Sequence, residues 1–299
     1  MPTVPAPIQH SRSAAPEPFV EPFAVRALTA LRTHGPLVFG LDPSGDLLIE
    51  WGLGDTADGL ERFVDIVVDA SVGTVGVVKP QAAFYERHGW RGMRSLARLV
   101  DACRTAGVLV LLDAKRGDVG STNEAYAEAY LGPEAGIPVD AITVTPYLGL
   151  AAMQPILDRA VANGAGVFIV TRSSNAEGRA IQGARHPSTT TVEHQLVVDI
   201  AAENRRVAPD TIGPIGAVFG PTHGPPTEFD LSTMNGLFLA PGVGAQGATP
   251  ADVAACFAAC PDRVLPSASR SLLAAGPDPA RLRAEAQLLA AELQRLLGP

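Results

Sequence analysis

A single (β/α)8 TIM barrel, with extra helices at both ends, is the architecture the sequence predicts, on three observations. Eight short apolar, β-branched runs recur along the 299 residues, bounded by Gly or Pro. Most are continuously apolar rather than alternating, as parallel strands buried on both faces are. Helical patterns fill several of the intervals, and strand–helix alternation repeated in this way closes a barrel. An open doubly wound sheet is the alternative that the same alternation allows.

The elements follow in order. The opening "MPTVPAPIQHSRSAAPEPF" lacks an apolar signal core, so residues 1–17 are expected to form a disordered leader and 18–299 a single catalytic domain. A helix is expected around Pro18–Thr33 and a first strand over Leu37–Leu41. "DGLERFVDIVVDA" then places apolar residues at 60, 63, 64, 67 and 68, which share one helical face. Strands two and three, Thr74–Val78 and Val108–Leu112, flank "RGMRSLARLVDACRTAG", a helix ending in a Gly cap. Ser121 and Glu124 have the S-x-x-E spacing of a capping box for "TNEAYAEAY". Strand four, Ala141–Val144, precedes the helix "LAAMQPILDRAVANG", and strand five is Val167–Val170. The longest connection, Thr171 to Pro214, starts with the polar "RSSNAEGRAIQGARHPSTT", expected as a loop at the active face. It continues with a helix, "TVEHQLVVDIAAENRRV". Strands six to eight are Ile215–Phe219, Leu237–Leu239 and Val264–Leu265. "PADVAACFAAC", opening on a first-turn proline, lies between the last two. A final helix over Ala280–Leu297 is expected to cap the barrel together with the N-terminal one.

Composition excludes several classes. Apolar residues make up 46% and charged residues 18%, as in ordinary globular proteins. A net charge of −8 with no basic block speaks against nucleic acid and anionic membrane surfaces as partners. No apolar run reaches the ~18 residues of a membrane-spanning helix. The three cysteines give no disulfide framework, and Cys256 and Cys260 read as core residues rather than metal ligands. A reducing cytoplasm is the expected location.

The chemistry is concentrated where the apolar runs end. Of the 23 basic residues 21 are arginine, and the two lysines, Lys79 and Lys115, both fall at strand C-termini. Active sites of such barrels lie at those ends. Strand one ends in Asp42, strand two in Lys79, strand three in Asp113 and Lys115. Asp113 and Lys115, two apart on a strand, point to one face and so into the barrel mouth. A buried ion pair is the bland account, but such pairs lose several kcal/mol per ion in desolvation and are weak evidence of a stabilising purpose. "PGVGAQG" carries G-x-G-x-x-G at Gly242, Gly244 and Gly247. Its late position and the lack of a following acidic residue argue against a dinucleotide turn. A Gly-rich loop after strand seven and Arg270 after strand eight match the phosphate site common in barrels.

Taken together, these residues resemble orotidine 5′-phosphate decarboxylase, in its longer-chain bacterial branch. The resemblance rests on D-x-K-x-x-D at Asp113, Lys115 and Asp118, on Lys79 and Asp42, on Gln246 in the Gly-rich loop, and on Arg270. It implies decarboxylation of orotidine 5′-phosphate to uridine 5′-phosphate and CO2, the last step of UMP synthesis, with no cofactor and no metal. Lys115 would stabilise and protonate the carbanion left at C6, with Asp113, Asp118 and Lys79 completing a charge network. Asp42 and Lys79 would meet the ribose, Ser174 the pyrimidine, and Gln246, Gly244 and Arg270 the phosphate. The resemblance also implies a homodimer whose Asp118 and Thr122 reach into the neighbour's site. Three rivals carry different signatures. A Mg²⁺-dependent sugar-phosphate decarboxylase or aldolase with the same motif would need metal. A Schiff-base aldolase would be trapped by borohydride. A non-catalytic nucleotide-binding barrel would leave the charge network without a purpose.

Overall fold

In the computed structural model, which describes residues 21–185 and 190–298, eight parallel strands form a closed barrel in chain order. They are β1 (Val38–Leu41), β2 (Val77–Pro80), β3 (Leu109–Arg116), β4 (Ala141–Val144), β5 (Gly166–Arg172), β6 (Ile215–Phe219), β7 (Phe238–Pro241) and β8 (Val264–Ala268). Helix α1 (Phe23–His34) precedes them. Helices α2 (Gly45–Glu50) and α3 (Ala57–Ser71) follow β1, α4 (Ala82–Glu86) and α5 (Gly89–Thr105) follow β2, and α6 (Gly120–Tyr130) follows β3. Helix α7 (Gln154–Ala162) follows β4, α8 (Arg179–Gln182) and α9 (Val192–Val207) follow β5, and α10 (Pro250–Cys256) follows β7. After β8 come α11 (Arg270–Leu273) and α12 (Pro279–Leu297).

Strand periodicity divides the core in two. Phe39, Leu41, Val78, Val110, Leu112, Ile142, Ile169 and Phe238 face outward into the layer shared with the helices. Alternate residues Val38, Val77, Leu111, Ala141, Phe168, Val218, Leu239 and Leu265 fill the lumen. Two positions further along, the same inward faces carry Lys79, Asp113, Thr143 and Ser267, all buried. The lumen is thus apolar at its base and charged at its mouth.

Helix α1 closes the base. Phe23, Ala24 and Ala27 pack into the lumen cluster. The Phe23 ring meets Phe168 edge-on at 5.9 Å. Gly166 leaves room for it, since a Cβ there would lie 2.5 Å from the ring. Arg26 fastens the helix by pairing with buried Asp140 and by donating to the Gly164 carbonyl at 3.2 Å.

Several expectations are corrected. The second strand starts at Val77, because Thr74 and Val75 donate back to Ser71 and complete the turn that ends α3. Helix α12 does not cap the barrel: it packs on α3 and α10, within the outer layer. Helix α1 begins at Phe23, and the predicted leader, 1–17, lies outside the described residues. Helix α6 has no capping box. Its N-cap is Val119, with no side-chain cap, and Ser121 is exposed inside the first turn. Asn123 supplies the local order instead. It accepts from the Asp118 N–H at 2.9 Å and donates to the carbonyls of Asp118 and Ala152. Cys256 and Cys260 are buried, and burial pushes their thiols up to about 12 and about 11.

Candidate active site

A cavity of about 280 Å3 opens at the C-terminal ends of the strands. Asp42 enters it from the end of β1, Lys79 from β2, Asp113 and Lys115 from β3. Ser174 comes from the loop after β5, Gln246 from the loop after β7, and Arg270 from the end of β8. Seven of the ten residues expected from the sequence therefore line one cavity.

Its centre is the Asp113 carboxylate. Lys115 Nζ donates to Oδ1 at 2.6 Å and Lys79 Nζ to Oδ2 at 3.0 Å. Lys79 Nζ also lies 4.0 Å from Asp42 Oδ1. Two further donors were not anticipated: Thr143 Oγ1 reaches Oδ1 at 2.9 Å and Gln81 Nε2 reaches Oδ2 at 3.3 Å. A threonine inside the apolar run "AITV" reads as a strand former, and Gln81 stands just past the end of its strand. Neither carries a local signal of its own.

Burial works against charge here, and the neighbours reverse it. Burial alone would raise the Asp113 carboxyl, but the Lys79 and Lys115 ammonium groups hold it far below the usual carboxylate range. Burial would likewise lower Lys79, yet Asp113 and Asp42 outweigh it and keep its pKa above the ordinary ammonium value. The Asp113–Lys79 pair therefore stays ionised across neutral pH. Fixed charges in a partly dry cavity interact far more strongly than in water, so the array is a preorganised field.

The mouth is bridged. Ser174 Oγ donates to Gln246 Oε1 at 2.7 Å, joining the loops after β5 and β7. Two buried oxygens, Asp42 Oδ1 and Ser269 Oγ, have no hydrogen-bond partner among the described residues. Ser269 lines the same cavity.

Three expected residues lie elsewhere. Gly244, at φ +80°, spends its N–H on the Ala248 carbonyl at 2.8 Å and lines the outer side of the loop against Ser271 and α12. Asp118 is half-buried and Thr122 exposed, and neither lines the cavity of its own barrel. A second cavity, of about 410 Å3, lies between the loops after β5 and β6. Its Arg172 is held by Glu193 and its Arg185 by Glu228, and it contains none of the charge array.

Residues 35–284 match the model of the family described as orotidine 5′-phosphate decarboxylase / HUMPS. The curated orotidine 5′-phosphate decarboxylase of Salinispora arenicola is 48% identical over 278 residues, covering 93% of this chain and 99% of its own length. That of Streptomyces coelicolor is 46% identical over 275 residues, covering 92% and 98%. A Streptomyces avermitilis crystal structure provisionally named for the same enzyme superposes with a TM-score of 0.89 at 44% identity, over 93% of this chain and 96% of that one. The OMP decarboxylase of Leishmania donovani superposes with a TM-score of 0.71 at 26% identity, over 92% and 98%.

Proposed function

The chain belongs to the orotidine 5′-phosphate decarboxylase / HUMPS family and is a carboxy-lyase that converts orotidine 5′-phosphate to uridine 5′-phosphate and CO2, and on that premise we propose how its residues divide the work. The relatives at 42–48% identity carry the decarboxylase name, and none favours the sugar-phosphate alternative.

The observation that carries the residue assignments is the Lys79–Asp113–Lys115 array. Breaking the bond from pyrimidine C6 to its carboxylate releases CO2 and leaves the electron pair on C6. The ring offers that pair no delocalisation, so the enzyme must meet it with charge. Lys115 Nζ, held on Asp113 at 2.6 Å, is the group we assign to face C6 and to give it a proton. The lysine is reprotonated from solvent afterwards. Asp113 orients the Lys115 ammonium group, and Lys79 balances Asp113. Neither a cofactor nor a metal ion is assigned a part.

Binding follows the cavity wall. Asp42 Oδ1, buried and without a hydrogen-bond partner among the described residues, suits a ribose hydroxyl donor, and Lys79 reaches the same side. Arg270 and Gln246 are assigned to the phosphate, the arginine by charge and the glutamine through its Nε2. Ser174, already bonded to Gln246, is assigned to the pyrimidine edge. Gripping the phosphate draws the loop after β7 over the ligand and applies remote binding energy at C6.

A homodimer with shared sites, in the cytoplasm, completes the reading. Its support is that Asp118 and Thr122 do not line the cavity of their own barrel. On the same loop and on the neighbouring loop after β4, Val119, Tyr147 and Leu148 are 55%, 78% and 53% exposed, apolar side chains suited to a partner surface. The described helices include none long and apolar enough to cross a membrane.

The direct test is an absorbance assay of orotidine 5′-phosphate with EDTA present. Undiminished turnover under chelation is expected. Turnover abolished by EDTA and restored by Mg²⁺ would overturn the cofactor-free mechanism.

A further inference from the structure

Strands β3 and β4 pair regularly as far as Leu112 with Ile142, and pairing resumes only at Arg116 with Val144. Asp113, Ala114 and Lys115 therefore stand against the single residue Thr143. Such a bulge re-aims side chains and leaves main-chain groups on the bulged strand without ladder partners. Lys115 bears the distortion. Its φ is +46°, and among the described residues the only other non-glycine with positive φ is Asn235. Asparagine visits that region readily; a long side chain does so only when its surroundings enforce it.

The enforcing group is a side chain. The Lys115 N–H donates to Thr143 Oγ1 at 2.9 Å. A hydroxyl has one proton, and with the Lys115 N–H on one of its lone pairs that proton goes to Asp113 Oδ1, also at 2.9 Å. Thr143 is wholly buried, so water does not replace it. Its β-branch stiffens χ1 and holds the hydroxyl in one orientation. Thr143 does not line the cavity; it acts through its two neighbours.

We propose that Thr143 is a positioning residue for the decarboxylation: its hydroxyl takes the place of the ladder bond that the bulge removes. It thereby locks the left-handed backbone of Lys115 to the carboxylate that receives the Lys115 ammonium. One oxygen thus fixes both ends of the lysine relative to Asp113, main chain and charge. The inference rests on Lys115 as the group acting at C6.

The experiment compares wild type, Lys115→Ala, Thr143→Val and Thr143→Ser in orotidine 5′-phosphate turnover and in calorimetric binding of uridine 5′-phosphate. Valine keeps the shape and loses both hydrogen bonds. A misplacement of about 1 Å at a reacting group is enough for a loss of about 100-fold, so kcat of Thr143→Val should fall by about that factor. Nucleotide affinity should stay within about threefold, because Thr143 makes no contact with the cavity. Serine, which keeps the hydroxyl, should restore kcat to within about fivefold of wild type. If valine fails to fold, Thr143→Ala carries the same expectation. The inference is overturned by a hydroxyl-less variant with near-normal kcat, by equal losses in kcat and nucleotide affinity, or by a serine variant as slow as valine. Should Lys115→Ala itself keep turnover, the assignment of Lys115 fails and takes the role of Thr143 with it. If Lys115→Ala is inactive while Thr143→Val is not, only the role of Thr143 falls.

Discussion

Lys115 presents its ammonium from a backbone that side chains seldom adopt, and four donors converge on the carboxylate that receives it. An array so completely bonded has little freedom to follow a moving charge, which suits it to a transition state rather than a ground state. Lys115→Ala should accordingly lose at least about 10⁴-fold in kcat, the combined scale of a lost proton donor and a lost charge partner. Uridine 5′-phosphate, which lacks the carboxylate, should still bind. Substantial residual turnover, measured in single-turnover experiments, would remove Lys115 as the proton donor. Arg270 is a different case: exposed at the cavity rim, its side chain makes no hydrogen bond among the described residues. A charge-assisted bond to phosphate is worth roughly 1.5–3 kcal/mol, or about 10- to 100-fold. Arg270→Ala should lower kcat/KM by that factor for the nucleotide and hardly at all for the bare nucleoside. Equal losses on the two substrates would show that Arg270 does not hold the phosphate.

At the scale of elements, the turn between β3 and α6 shows how far local sequence reaches. Ser121 and Glu124 have capping-box spacing, but the helix starts one residue ahead of Ser121, and buried Asn123 brackets Asp118 instead. Ser121→Ala should leave thermal unfolding almost unchanged. Asn123→Ala, which strips partners from three backbone groups, should lower stability by roughly 1–3 kcal/mol. The opposite ranking in denaturant titrations would reinstate Ser121 as the cap. The charged residues at strand ends were legible because a strand buried on both faces has no other reason to stop in Asp or Lys. The bulge at Lys115 was not legible, since it depends on a partner strand 28 residues away. The place of α12 was missed for a similar reason: short α11 comes between β8 and the helix that joins the outer layer. Long-range pairing also hid the arginines of α5. Arg91, Arg94 and Arg98 pair with Asp58, Glu61 and Asp65 of α3, each across 33 residues. Exposed pairs of this kind are worth at most about 1 kcal/mol each, so they align two helices more than they stabilise them.

For the whole molecule, Asp118 bears on how the site is assembled. It follows Lys115 by three residues, yet neither it nor Thr122 lines the cavity of its own barrel, and exposed Val119, Tyr147 and Leu148 lie on the same and the neighbouring loop. If two copies meet on this face about a two-fold axis, each cavity receives Lys115 from one subunit and Asp118 from the other. Homodimers of Lys115→Ala and of Asp118→Ala should then each be nearly inactive. A mixed dimer collects both lesions in one site and leaves the other intact. Random reassortment at equal concentrations makes about half the dimers mixed, so activity should return to roughly a quarter of wild type. The two variants are dissociated together, reassociated and assayed, with subunit exchange verified by a mass tag. Exchange without recovery would mean that Asp118 serves its own barrel.

The scarcity of lysine has a practical side. With arginine in every other basic position, the chain offers acylating reagents two side-chain amines besides its α-amino group, and both stand in one cavity. They are not equally open: the Lys79 side chain is 7% exposed and that of Lys115 is 44%. At alkaline pH, where lysine amines become free to react, a succinimidyl ester should therefore label Lys115 in preference to Lys79, and bound uridine 5′-phosphate should slow that labelling. Peptide mass spectrometry then reads site occupancy from a single residue with no engineered tag. By the same token, coupling this protein to a surface through its lysines would tether it by the group assigned to protonate C6.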